Sequence, residues 1–223
     1  MTSANPRIAE PNATPEPAPD CPLCPRLVEF RRDNAVKHPD WFNGAVPSFG
    51  GADARLLIVG LAPGLQGANR TGVPFMGDFA GDLLYPTLMK FGFARGHHTP
   101  DDPHALELVD CMISNSVRCV PPANKPTTDE IKACRQFLTA RIDTLPRLRM
   151  ILALGRIAHD SVVRTLGLKL KQAPFGHGAV HDVGELTLID SYHCSRYNTN
   201  TGVLTTEMFE GVFGEIARRL GTT

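Results

Sequence analysis

Four short apolar runs punctuate the chain: RLLIVGL (Arg55 to Leu61), LVDCMISNSV (Leu108 to Val117), RMILALG (Arg149 to Gly155) and ELTLIDSYH (Glu185 to His193). Each is rich in Ile, Val or Leu and gives way to Gly, Ser or Asn. Such runs predict short strands buried on both faces. Helical spacing fills the intervals. It predicts helices over Leu27 to Val36, over Asp82 to Phe93 with Pro86 tolerable only near a first turn, and over Thr127 to Leu145. Thr127 and Glu130 have the spacing of a capping box. A fourth helix, from Arg156, is predicted to stop at Gly167. The last pattern places Met208, Phe209, Val212, Phe213, Ile216 and Leu220 on one face. Strands alternating with helices imply parallel pairing and an α/β sandwich.

Residues 1–20 are rich in Pro, Ala and polar types and are predicted to be a disordered tail, leaving 21–223 as a single domain. In open parallel sheets, ligands bind beyond the carboxyl ends of the strands. There the chain carries GLAPG from Gly60, Asn115 after the second run and His193 after the fourth. Glycines at such an end let backbone approach a ligand closely. A tight strand-to-helix connection is the plainer reading of GLAPG alone; its convergence with Asn115 and His193 favours a ligand site.

Lys and Arg (23) balance Asp and Glu (23), so a uniformly polyanion-binding surface is not expected, though a local basic face is compatible. No apolar run approaches the ~20 residues of a membrane span, and no secretory pattern opens the chain. A cytoplasmic, reducing location is expected. There, clustered cysteines more often hold metal than form disulfides. Cys21 and Cys24 form C-x-x-C, with Cys119 and Cys134 as the other two ligand candidates. Four thiolates suit either Zn²⁺ or a [4Fe–4S] cluster, while ordinary burial of the latter pair is the alternative. Cys111, within a run, and Cys194 read as packing.

The segments CPLC, GLAPGLQGANRTGVPFMGDFAG, ISNSVRCVPP and SYHCSRYNTNTGVLT, in this order, resemble the iron–sulfur uracil-DNA glycosylases, specifically the B-type or family-five branch. The resemblance covers nearly everything from Cys21 to the last helix. It implies a three-layer α/β/α sandwich with a central four-stranded parallel sheet. It also implies a structural [4Fe–4S] cluster on Cys21, Cys24, Cys119 and Cys134, and excision of uracil and related deaminated or damaged bases from DNA; a monomer is expected. Related enzymes often have Pro where Cys194 stands, and a Pro-containing wedge where this chain reads SRYN.

On that reading Phe75 stacks on a flipped base, Asn115 reads uracil O4 and N3–H, and His193 donates to O2. Ala62 stands where the best-known uracil glycosylases have an aspartate. Asp78 is therefore expected to orient water and stabilise the cationic sugar, with a helix N-cap as its alternative role. Backbone amides of Gly60, Leu61 and Ala62 are expected to border the pocket. Gly64 takes the place of a tyrosine wall, so larger bases should enter, and Gly64→Tyr should exclude those first. Arg118, Lys125 and Ser195 are expected to meet DNA phosphates, and Arg196, Tyr197 and Asn198 to press into the gap in the duplex. A nonenzymatic nucleotide-binding or redox module with a four-Cys centre remains the other function class.

Overall fold

The computed structural model describes residues 15–100, 102 and 105–222. Most of the predicted tail, 1–14, lies outside the described residues. Residues 15–20 correct that expectation, because Glu16 is tied into the folded domain through Arg118, Arg141 and the Ser48 amide.

The chain begins with α1 (Pro25–Lys37), where Pro25 costs nothing because a first-turn N–H has no helical partner. There follow β1 (Phe49–Gly50), β2 (Leu56–Gly60), α2 (Ala68–Thr71), α3 (Gly81–Lys90) and a hairpin of β3 (Ala94–Gly96) with β4 (Leu106–Leu108). Next come β5 (Cys111–Asn115), α4 (Thr128–Asp143), β6 (Met150–Leu154) and α5 (Arg156–Thr165). The chain closes with β7 (Val180–Val183), β8 (Leu186–Ser191), α6 (Arg196–Asn200) and α7 (Thr206–Leu220).

The main sheet has the order β1-β5-β2-β6-β8-β7. Its four central strands are mutually parallel and coincide with the four apolar runs. The sheet nevertheless has six strands, because β1 and β7 pair antiparallel at its edges. Neither edge strand is a long apolar run: β1 has two residues and β7 reads VHDV. The run from Leu108 to Val117 is also broken, because Asp110 adopts φ +52° between β4 and β5. Pro86 lies inside α3 rather than in its first turn, on the solvent side.

Side chains alternate across the sheet, as period-two geometry demands. Leu56, Ile58, Ile113 and Leu152 pack with α3, α7 and the hairpin, while Leu57, Val59, Met112 and Ile151 pack with α4 and α5. This is the α/β/α sandwich. The capping box of α4 forms: Thr127 Oγ1 accepts the Glu130 N–H at 3.3 Å, and the Glu130 carboxylate accepts the Thr127 N–H at 2.7 Å. Glu130 also pairs with Arg26 of α1 at 2.7 Å, which ties the start of α4 to the chain beside Cys24. No helix among the described residues is long and apolar enough to cross a membrane.

Candidate active site

Gly60 ends β2 directly opposite Asn115, the end of β5, and His193 follows two residues after β8. Around them opens a pocket of about 400 Å³. A Cβ on Gly60 would come within 2.4 Å of Asn115 Oδ1 and 2.5 Å of the Phe75 ring, so only glycine leaves these two side chains in place. Asn115 is buried, and its Oδ1 has no hydrogen-bond partner. Leaving a buried acceptor unmatched costs about 1–3 kcal/mol, which a ligand N–H would recover. Phe75 holds its ring against the pocket from a left-handed backbone, φ +63°. Such a conformation costs about 1–3 kcal/mol and persists only where the surroundings enforce it. The Phe75 and His193 rings lie 6.2 Å apart at 27°.

Burial pushes the His193 pKa down to about 4, so the ring is neutral at physiological pH and has a single N–H to donate. Its backbone is held by Asn198, whose Nδ2 donates to the His193 carbonyl at 2.8 Å.

Asp78 is not the N-cap of the next helix, since α3 starts at Gly81 behind Ala80 with no side-chain cap. Its carboxylate turns instead toward the GLAPG loop and accepts the Ala68 N–H at 3.3 Å. A Cβ on Gly64 would lie 2.0 Å from Asp78 Oδ1, and one on Gly67 would lie 2.1 Å from Asp78 Cγ. The glycines after β2 thus form the seat of a carboxylate. Burial raises the Asp78 pKa, and the amides of Ala68 and Gly64 with the charge of Arg70 pull the other way. Gly67 was not legible as part of the site, because its role depends on a close approach between residues eleven apart.

The seat changes what Gly64 means. The position lines the pocket, but a side chain there strikes Asp78 before it can shape a wall against larger bases. What the resemblance implies for Gly64→Tyr changes accordingly: turnover on uracil is expected to be lost together with that on larger bases. Single-turnover assays on both would check this, and selective loss on the larger bases would restore the simple wall.

Leu61, Ala62, Ser195 and Arg196 also line the pocket, as do Phe79 and Asn124, which the sequence did not single out. Arg196 lies 4.8 Å over the Phe79 ring at the mouth. SRYN forms the short helix α6 rather than an open loop, with Ser195 accepting the Asn198 N–H. Tyr197 projects into solvent, 74% exposed, and Lys125 is exposed too. Asn198 is turned inward on His193, which corrects its assignment to a wedge. Arg118 is corrected outright: it is 1% exposed, paired with Glu16 at 2.9 Å and bonded to Ser48 and the Val46 carbonyl. A phosphate cannot reach it.

Cys21, Cys24, Cys119 and Cys134 surround one small cavity with Leu27, Val117 and Phe137. All four are free. Burial pushes the Cys119 thiol up to about 12 and Cys134 up to about 11. The Arg118 backbone N–H points at Cys134 Sγ, 3.3 Å away. Cys111 and Cys194 are buried apart from this group, in the core between the sheet and α3 and α7.

Comparison with known proteins gives a consistent picture. The family model of the Uracil DNA glycosylase superfamily matches residues 47–217. A type-5 uracil-DNA glycosylase of Thermus thermophilus is 43% identical, covering 90% of this chain and 94% of the relative. One from Mycobacterium bovis is 38% identical, over 90% of this chain and 78% of its own length. One from Pyrobaculum aerophilum is 34% identical, over 91% of this chain and 90% of its own.

Proposed function

Because the chain belongs to the uracil DNA glycosylase superfamily, on its type-5 branch, we propose that its pocket excises uracil and related deaminated or damaged bases from DNA, leaving an abasic site. The observation that carries this reading is the unpartnered Asn115 Oδ1 buried beside Phe75, Asp78 and His193. The chain acts as a monomer on cytoplasmic DNA.

The target nucleotide leaves the stack and its base enters the pocket against Phe75. Asn115 Nδ2–H donates to uracil O4, and Oδ1 accepts N3–H. Cytosine presents an amino group and a lone pair at those two places, so both contacts become repulsive. As the bond from C1′ to N1 lengthens, negative charge collects on the base and positive charge on the sugar. The neutral His193 ring donates its N–H to O2, and the Asp78 carboxylate faces the sugar and orients the attacking water. Water oxygen bonds to C1′ as the bond from C1′ to N1 breaks with its electrons going to the base; one water proton passes to the Asp78 carboxylate and from there to the base anion, so one water is consumed and the products are the C1′ hydroxyl and the neutral base. Arg196, Tyr197, Ser195 and Lys125 supply the DNA contacts that position the enzyme without reading sequence. The apolar wall of Leu61 and Ala62 discriminates size by only about 1–3 kcal/mol. We therefore include 5-hydroxymethyluracil and hypoxanthine among the substrates.

The four gathered cysteines fit a [4Fe–4S] cluster. All four line one cavity as free thiols, and four thiolates are the donor set such a cluster takes. Bound there, the cluster would supply a structural cross-link, joining the N-terminal segment to the chain that follows β5 and to α4. Iron and inorganic sulfide assays on anaerobically purified protein check this, with zinc lacking sulfide as the contrary result.

Asn115→Ala tests the base reading. Uracil excision is expected to fall by about a hundredfold, with affinity for uracil-free duplex unchanged. Native turnover in that variant would place recognition elsewhere.

A further inference from the structure

Behind the pocket lies a buried polar group that the chemistry above does not use. His159, on α5, has Nε2 2.9 Å from the Ala173 carbonyl oxygen and Nδ1 2.7 Å from Asp190 Oδ1. A carbonyl and a carboxylate only accept, so both ring nitrogens bear protons and the ring is an imidazolium. Both side chains are sealed from solvent, His159 at 1% exposure and Asp190 at 0%. The second Asp190 oxygen meets His181 Nε2 at 3.3 Å. Two histidines and an aspartate have the makeup of a metal site, but the 2.7 Å separation is that of a charged hydrogen bond. Two ligands of one tetrahedral ion with bonds of about 2.0 Å would stand about 3.3 Å apart.

The pair joins the elements that deliver His193. Asp190 precedes it by three residues on β8. The His159 N–H donates to the Gly155 carbonyl at 3.0 Å, and the Gly155 N–H donates to Ser191 at 2.8 Å. A Cβ on Gly155 would lie 3.2 Å from His193 Cβ, so the start of α5 abuts the histidine directly. Ala173 opens the loop that leads to His177, whose Nδ1 accepts the Tyr192 N–H at 3.2 Å. Helix, loop and strand therefore converge on Ser191 and Tyr192 through one ion pair.

We propose that the His159 imidazolium and the Asp190 carboxylate are positioning residues for base excision, holding His193 at the distance where it reaches the base. This rests on the assignment of His193 as the pocket's donor. The titratable and charged neighbours are His181 from β7, Asp160 on α5, and Arg156, 5.0 Å over the Phe175 ring that meets His159 edge-on; His177 approaches from the loop. Burial opposes the charge on His159, but the hydrogen bond and charge of Asp190 and the Ala173 carbonyl outweigh it, and the ring keeps its proton above the usual histidine range. The pair's contribution is complete below the ordinary histidine pKa and is lost as pH rises through the raised one.

Single-turnover uracil excision by His159→Gln, Asp190→Asn and His193→Ala, from about pH 6 to about pH 10 beside the native enzyme, tests this. The native rate should decline on the alkaline side as His159 loses its proton. His159→Gln should be about ten- to a hundredfold slower at neutral pH, without that decline and with duplex affinity within about twofold of native. A native rate in His159→Gln, or a slower rate that keeps the native pH profile, overturns the proposal. Should His159→Gln fail to fold, ¹⁵N shifts of the native histidine rings decide: a doubly protonated His159 at neutral pH supports the proposal and a neutral ring overturns it. A native rate in His193→Ala would instead remove the assignment on which the proposal rests.

Discussion

Asp78→Asn is expected to slow single-turnover uracil excision by about a hundredfold or more while leaving duplex affinity intact. The replacement keeps the shape that fits against Gly64 and Gly67 and removes only the charge proposed to stabilise the sugar. The native rate should fall with acid as Asp78 takes up its proton, above the ordinary carboxylate range because burial raises its pKa. The sign for stability is opposite. A carboxyl whose folded pKa exceeds its unfolded one stabilises the fold only in its protonated form, and that contribution is lost as pH rises through the folded value. At neutral pH the ionised Asp78 is therefore a cost, and Asp78→Asn should melt at the native temperature or above it. Lost activity together with a lowered melting temperature would make Asp78 a structural residue.

Arg118→Ala is expected to lose about 3–5 kcal/mol of folding stability, the usual result of breaking a buried ion pair from one side. The guanidinium is the interior partner of Glu16 and also donates to the Val46 carbonyl and Ser48. Burial raises the Glu16 pKa, but Arg118, Ser48 and Arg141 outweigh it and hold the carboxyl below the usual glutamate range. That stabilisation is present above the ordinary glutamate pKa and is lost as pH falls through the depressed one. Denaturant unfolding of the variant should show both the loss and a weaker acid dependence. Unchanged stability with weakened DNA binding would return Arg118 to the phosphate contacts.

The central strands and major helices were legible because buried parallel strands are written as continuous apolar runs and helices as 3.6-residue spacing. The edges were not, since β1 is two residues long and β7 carries His181 and Asp182 among its four. The pocket residues Phe75, Asp78, Asn115 and His193 were legible through strand ends and family resemblance. Arg118 misled because a charged residue beside a cysteine reads as surface until Glu16, from a segment that reads as disordered, supplies its partner. The same limit hid the seat of Asp78 and the His159–Asp190 pair. These depend on approaches between distant residues, and neither periodicity nor composition encodes such distances.

The most direct test of the account is strand nicking on two duplexes identical except for uracil or thymine at one position, with and without alkali after incubation with the purified protein. The account predicts nicks at uracil only, and only after alkali, because hydrolysis of the base leaves an intact backbone with one abasic site. No alkali-dependent nick at uracil, or nicking before alkali is added, would contradict it.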